Sequence, residues 1–117
     1  DVLIVRGQNM MPDEIERLAD SVTGGGGLMR AAAFSVARGA EGEEPVLVVE
    51  VADRDPARLP ALEQEIRSRV GRALGLPLAD VAFVRRGRIP RTTSGKMQRL
   101  ELRRRYLEGT IERLQPE

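Results

Sequence analysis

The 117-residue chain contains no cysteine, no histidine and no tryptophan. Without cysteine there are no disulfides and no thiol nucleophile; without histidine as well, Cys/His zinc sites and an imidazole general base are excluded. Aromatic residues are scarce, with only Phe34, Phe83 and Tyr106 present, so a core must be built from Val, Leu, Ile and Ala. No apolar run approaches the roughly 20 residues that a membrane span requires. The opening stretch DVLIVRGQ lacks the charged, apolar and cleavage-site order of a signal peptide, so a cytoplasmic setting is expected. Lysine is almost missing: of 19 basic residues, 18 are Arg, and the single Lys stands at position 96. An Arg excess can reflect coding bias alone. Lys, however, is a compact charge on a flexible stem and Arg a broad planar fork, so a lone Lys raises the question of what Arg cannot do there.

What is present suits one globular domain, since 41% of residues are apolar and 32% charged over a length too short for two domains. Charge is unevenly placed. Arg85, Arg86, Arg88, Arg91, Lys96, Arg99, Arg103, Arg104 and Arg105 face only one acid, Glu101, so residues 85–105 carry +8. The remaining 10 cations and 17 acids give −7, which recovers the overall +1. Such asymmetry directs the C-terminal third toward an anion.

Residues 2–5 (VLIV) read as a short strand, Gly7-Gln8-Asn9 as a tight turn, and Met10-Met11 as the start of a return strand. Pro12 suits a first helical position, with Asp13, Glu14 and Glu16 in the first turn and Ile15, Leu18, Ala19 and Val22 at helical spacing. Gly24 to Gly27 lack a phosphate-loop order and read as a connector. Leu28 to Ala37 and Pro45 to Val51 are expected strands joined by a polar loop over 39–43. A helix opening at Asp55-Pro56 carries Leu59, Leu62, Ile66, Val70 and Leu74 and stops at Gly75. Val81 to Val84 is a further strand. Met97 to Leu107 is an expected helix ending at Gly109, with Met97, Leu100, Arg104 or Tyr106, and Leu107 as candidates for its inner face. The fold class that follows is α+β: a small two-layer sandwich with a short N-terminal β-hairpin and a central mixed sheet of about three strands flanked by helices.

The segment Ile89-Pro-Arg-Thr-Thr-Ser-Gly-Lys96-Met-Gln-Arg99 holds the informative residues. Pro90 stiffens its entry, Thr92, Thr93 and Ser94 offer hydroxyls, and Gly95 permits close backbone approach to a ligand. Lys96 is expected at a helix start, where free N–H groups and the helix dipole also favour an anion. A nucleotide P-loop would need Gly at position 90 and Ser or Thr at position 97, and Pro90 and Met97 exclude it. On residue chemistry alone, a solvated basic turn ahead of a capped helix accounts for the same segment. Arg103 to Arg105 run consecutively on a helix and so cannot share one face.

PRTTSGKMQR resembles the C-terminal signature of adenylate-forming enzymes, roughly P-(K/R)-T-x-S-G-K-(I/V/M)-x-R, which is shared by acyl-CoA synthetases, peptide-synthetase adenylation domains and luciferases. Pro90, Arg91, Thr92, Ser94, Gly95, Lys96 and Arg99 match it. Asp1, Gly7 and the Glu14-Ile15-Glu16 triplet fall where the same superfamily places a second, hinge-proximal signature. VRGQNMMPDEIE is similar to the RGxNxxPxxIE form of fatty acyl-AMP ligases, whereas many CoA ligases carry a basic residue where Asn9 stands.

The resemblance implies that residues 1–117 form the single C-terminal lid domain of such an enzyme. The hinge would lie just before Asp1, and a large N-terminal domain, absent from this chain, would bind ATP, Mg²⁺ and the fatty acid. Lys96 would be the catalytic residue, and Thr93, Ser94 and Gly95 would shape the loop against substrate and nucleotide. Gly7, Gln8 and Asn9 would line the path of the acceptor, the phosphopantetheine of an acyl carrier protein or CoA. An ordinary hairpin glycine and ordinary turn chemistry also explain Gly7 and Asn9. Glu16 would cap or pair on the first helix without a catalytic role. Arg85, Arg86 and Arg88 would dock an acidic carrier protein, or form a solvated basic surface. Isolated, the 117 residues are expected not to adenylate. The alternatives are the same domain of an acyl-CoA synthetase or of a peptide-synthetase adenylation domain and, more distantly, a non-catalytic basic binding module. Nucleic acid is not an expected partner, because aromatic stacking residues and a groove-reading motif are lacking.

Overall fold

The computed structural model describes residues 3–5, 8–23, 30–37, 42–52 and 56–114. Two short strands, β1 (Leu3–Val5) and β2 (Gln8–Met10), pair antiparallel with Leu3 opposite Met10 and Val5 opposite Gln8. Helix α1 (Pro12–Thr23) follows, with Pro12 at its first position and Asp13 and Glu14 complementing the dipole of its first turn. Strands β3 (Ala31–Ala37) and β4 (Glu43–Val51) pair antiparallel, and β4 pairs parallel with β5 (Asp80–Arg85), so β4 is central in a mixed three-stranded sheet. The crossover from β4 to β5 is a single 3-10 turn at Pro56–Arg58 and helix α2 (Leu59–Leu74). Gly75 ends α2 at φ +63°, a left-handed conformation that glycine adopts without Cβ strain, and its N–H donates to the Gly71 carbonyl at 2.9 Å. Helix α3 (Arg99–Glu108) closes the domain and ends at Gly109.

Alternation along the strands divides the core in two. Ala31, Ala33, Leu47, Val49, Val81 and Phe83 face α1 and α2, where they meet Ile15, Ala19, Ile66 and Val70, together with Leu3 and Val5 of the hairpin. Ala32, Phe34, Val36, Val46, Val48, Ala82 and Val84 face the other way and are covered by Ile89 and by Leu102 and Tyr106 of α3. The α+β class, the N-terminal hairpin and the three-stranded mixed sheet agree with the sequence reading. The expected two-layer packing describes the α1/α2 side, and α3 adds a layer on the opposite face.

Several boundaries differ from expectation. Gln8 and Asn9, expected in the turn, belong to β2, where they pair with Val5 and Ile4, and Met11 lies beyond that strand. Pro56 opens a 3-10 turn and α2 itself starts at Leu59, while β5 is one residue longer at each end than Val81 to Val84. Strand β3 is described from Ala31, with Leu28 and Met29 outside the described residues, as are Gly24 to Gly27 and most of the 39–43 loop. Glu43 of that loop belongs to β4, where it accepts a 3.0 Å hydrogen bond from the Ser35 hydroxyl across the strand pair. Helix α3 begins at Arg99 rather than Met97, because Met97 is held in a β-bridge opposite Arg91. The inner face of α3 is also different. Leu102 is buried, whereas Leu100 and Leu107 are 80% and 55% exposed and Arg104 lies at the surface. Arg99, Leu102, Arg103 and Tyr106, spaced i, i+3, i+4 and i+7, form the inward stripe, with the arginine stems buried behind paired heads.

Candidate functional site

The chain leaves β5 through a turn in which Arg88 N–H donates to the Arg85 carbonyl at 3.2 Å, and then buries Ile89 under the α3 face. From Pro90 it folds into a small hairpin. Gln98 N–H donates to the Pro90 carbonyl at 2.9 Å, Arg91 and Met97 form a bridge, and Thr92 N–H donates to the Lys96 carbonyl at 2.8 Å. The Thr92 hydroxyl accepts from Lys96 N–H at 3.1 Å and lies 3.0 Å from the Ser94 hydroxyl, while Gly95 N–H donates to the Thr92 carbonyl at 2.9 Å. Gly95 has φ +91°, which a side chain at that position would resist. Thr93, Ser94, Gly95 and Lys96 are all exposed at this tip.

The helix-start expectation for Lys96 is therefore corrected. Two residues separate it from α3, and its own N–H and carbonyl are spent on Thr92. The hairpin, with Thr92 as its internal fastener, presents the ammonium instead.

Two buried carboxylates hold this hairpin and the helix after it. The Glu50 side chain, fully buried near the end of β4, accepts from Ile89 N–H at 2.9 Å and from Arg91 Nη1 at 3.0 Å through the same oxygen. Its other oxygen lies 3.6 Å from Arg30 Nη1. Glu16 of α1, also fully buried, receives a bidentate pair from Arg99, at 2.7 Å from Nε and 2.6 Å from Nη2, and accepts Ala33 N–H at 2.8 Å. Thus the Glu14-Ile15-Glu16 triplet and the PRTTSGKMQR segment meet inside the domain through partners 83 residues apart. Sequence reading confined Glu16 to its own helix and passed over Glu50. Glu50 interrupts the apolar run PVLVVEV, and a carboxylate there must find a buried partner.

The +8 segment is partly neutralised in place, and most of its arginines are held by partners. Besides Arg91 and Arg99, Arg104 pairs with Glu101 and Glu108, Arg105 pairs with Glu101, and Arg103 donates to the Ser35 carbonyl at 2.7 Å. Hydrogen bonds from Arg104 and then Arg105 hold the Glu101 carboxyl down to about 2, and the same pairing raises Arg104. Among the described residues, the side chains of Lys96, Arg85 and Arg86 have no hydrogen-bond or ion-pair partner. Arg85, Arg86 and Arg88 rim a cleft of about 430 Å³ with Val51, Ala52 and Leu114 at its walls, Arg88 lying 3.9 Å from Glu112.

Asn9 is exposed on β2, opposite Ile4; Gly7 lies outside the described residues, and Gln8 is placed only by its strand pairing. The two candidate loops do not converge on one core. The N-terminal hairpin contributes Leu3 and Val5 to the α1/α2 side, whereas the Lys96 hairpin contributes Ile89 and Met97 to the α3 side. Among the described residues no group of three acids is placed to hold a metal ion, and no helix is long and apolar enough to cross a membrane.

No protein-family model matches the chain. It is 38% identical, over 97% of its length, to the long-chain-fatty-acid–AMP ligase FadD28 of Mycobacterium tuberculosis, of which it covers 20%. A 4-hydroxyphenylalkanoate adenylyltransferase of Mycobacterium marinum is also 38% identical over 97% of the chain, which covers 18% of that protein. The chain therefore spans about a fifth of the length of the curated relatives it matches. Among solved structures, the adenylation, ketoreductase and pseudo-Asub multidomain structure of a keto acid-selecting NRPS module superposes with TM-score 0.83 at 30% identity, over 96% of this chain and 9% of that one. A fatty acyl-adenylate ligase from work on the E. coli and L. pneumophila enzymes superposes with TM-score 0.72 at 28% identity, over 93% of this chain and 19% of that one.

Proposed function

We propose that this chain, whose homologues are fatty acyl-AMP ligases of the adenylate-forming superfamily, is the small C-terminal domain of such a ligase and supplies its reactive lysine. A large N-terminal domain binds the fatty acid and ATP. Mg²⁺ would be held there too, where it would neutralise phosphate charge. The small domain closes and brings the Lys96 ammonium to the substrate carboxylate and the α-phosphate. A carboxylate oxygen attacks the α-phosphorus, the bond to the bridging oxygen breaks, and pyrophosphate leaves. Lys96 neutralises charge as it gathers between two anions and holds them in line. The domain then rotates, withdrawing Lys96 and presenting the Gly7, Gln8 and Asn9 loop to a phosphopantetheine thiol, which attacks the acyl carbon and displaces AMP. A slim, flexible cation suits a group that enters and leaves a crowded centre. The acceptor is phosphopantetheine, on a carrier protein or in CoA; the resemblance to fatty acyl-AMP ligases at Asn9, where many CoA ligases carry a basic residue, favours the carrier protein. Arg85, Arg86 and Arg88 provide the basic surface for an acidic carrier.

The observation that carries this reading is the division of charge around the hairpin. Arg91 and Arg99 are consumed by buried carboxylates, while Lys96 stands exposed and unpaired among the described residues on a fastened loop. The same pairing depletes the basic face that a nucleic-acid module would need. The test is acid-dependent pyrophosphate release by the protein carrying this chain, wild type against Lys96→Ala, with the melting midpoint as a folding check. Loss of one donor aimed at the transition state typically lowers the rate by about 10²–10³, or about 2.7–4 kcal/mol. A drop of that size at unchanged stability is expected. Near-normal release would make the hairpin structural and refute the reading.

A further inference from the structure

We propose that Glu50 is a positioning residue for Lys96: a buried carboxylate on the central strand that fixes the root of the hairpin presenting the ammonium. The inference rests on the reading of Lys96 given above. Glu50 follows Val46 and Val48 on the sheet face turned toward α3, an apolar face on which Arg30 and Arg91 bring the opposing charge. Its Oε2 binds the hairpin entry twice, once at the Ile89 backbone and once at the Arg91 guanidinium, across 39 and 41 residues of sequence. Arg91 is one side of the bridge to Met97. The next residue on each side is Thr92 and Lys96, which exchange backbone and hydroxyl hydrogen bonds. Three successive contacts therefore run from the middle of the sheet to Lys96: carboxylate to guanidinium, bridge, and threonine to lysine.

Stability alone is a poor reason for this arrangement. Taking a carboxylate and a guanidinium out of water is costly, and well-packed apolar replacements of such pairs are often neutral or stabilising. What apolar packing does not supply is direction. Ile89 N–H and the planar Arg91 head must both point at one oxygen, and this admits a single register of the hairpin on the sheet. Reaction rates are steep in such placement, since a misplacement of about 1 Å can cost about 10²-fold. A group carried by a moving domain depends on a rigid base more than one built into a static pocket.

The experiment uses the protein carrying this chain and separates its two half-reactions, acid-dependent pyrophosphate release and acyl transfer from supplied acyl-adenylate to a thiol acceptor. Glu50→Gln and Arg91→Met are each expected to lower the rate of pyrophosphate release by about 10–100-fold. Transfer from supplied acyl-adenylate should stay within about twofold, because Lys96 is withdrawn for that step. Amide exchange at Gly95, Lys96 and Gln98 should accelerate while that of β4 and β5 does not. If a single variant fails to fold, Glu50→Leu combined with Arg91→Met and Arg30→Met removes all three charges of the cluster, and it should recover the fold without recovering adenylation. A purely structural role predicts that activity returns with stability, or that both half-reactions fall together, and either result overturns the proposal. Pyrophosphate release within twofold of wild type in Glu50→Gln and Arg91→Met also overturns it, provided Lys96→Ala is inactive. If Lys96→Ala is itself active, the parent reading has failed, and the proposal falls with it.

Discussion

Glu16→Ala tests the internal frame most directly. Its carboxylate is fully buried, and the Arg99 side chain is 17% exposed, so both charges of the bidentate pair are largely out of water. Removing the acid leaves a mostly buried guanidinium without this partner, and it orphans the Ala33 N–H, which lies 2.8 Å from the same carboxylate. Breaking a buried pair from one side costs about 3–5 kcal/mol, a figure that already contains the unpaired charge. At about 4 °C per kcal/mol for a domain of this size, the melting midpoint should fall by about 12–20 °C. Glu16→Gln keeps the volume and an acceptor for Ala33 N–H but loses the charge, so it should cost about half as much. A double-mutant cycle with Arg99→Ala, read by denaturant unfolding of the 117-residue chain, isolates the pair from the other contacts of Arg99 and should return a coupling of about 2–3 kcal/mol. High salt should barely change that coupling, since buried pairs are poorly screened. The Glu65 and Arg69 pair on α2 is the internal control: both side chains are nearly half exposed, and Glu65→Ala should cost at most about 0.5 kcal/mol. A Glu16→Ala loss no larger than that of Glu65→Ala would refute the buried-frame reasoning.

The inner face of α3 can be checked by truncation. Leu102→Ala empties a buried site and should cost about 2–5 kcal/mol in denaturant unfolding, whereas Leu100→Ala and Leu107→Ala should stay within about 0.5 kcal/mol. The reverse order would mean that the helix is rotated. Glu101 gives a pH prediction. Its carboxyl is held at about 2 against an ordinary 4.5, so its contribution is complete above about pH 4.5 and is lost as pH falls toward 2. A carboxyl-shift titration should find that low midpoint, and Arg104→Gln, which removes the larger of its two hydrogen-bonding causes, should move it upward. An unchanged midpoint in that variant would contradict the pairing.

Elements whose signal is local were legible in the sequence. Pro12 with the acids behind it, the apolar spacing from Leu59 to Val70, and the glycines at 75 and 109 each carry their own reason for being where they are. The phase of α3 was not legible, because its sequence holds two stripes at helical spacing. Leu100 and Leu107 form one, and Leu102 and Tyr106 the other, and counting arginine as polar favours the first. The choice is made by distant partners: Glu16 takes Arg99, the Ser35 carbonyl takes Arg103, and Asp80 accepts the Tyr106 hydroxyl at 2.7 Å, which together turn the second stripe inward. Long arginine stems can then cover apolar surface while their heads are paired, which periodicity counted by residue type does not register.

The same reasoning limits what net charge says about the site. A sum of +8 over residues 85–105 treats every cation as a source of field, but a guanidinium locked to a carboxylate about 3 Å away presents a dipole whose effect fades within a few ångströms. Glu16 and Glu50 lie far outside the segment in sequence, so no count confined to it includes them. Once they are included, together with Glu108 against Arg104, the field of the C-terminal third comes chiefly from Lys96, from Arg85 and Arg86, and from Arg88, which its long and exposed pair with Glu112 neutralises little. Arg85 and Arg86 sit at the carboxyl end of β5, and Lys96 sits at the far end of the hairpin that leaves it. A diffuse basic surface would bind anions without regard to geometry. Three arginines rimming a cleft and one separate lysine on a fastened loop instead suit two different anions, a partner surface and a reacting centre.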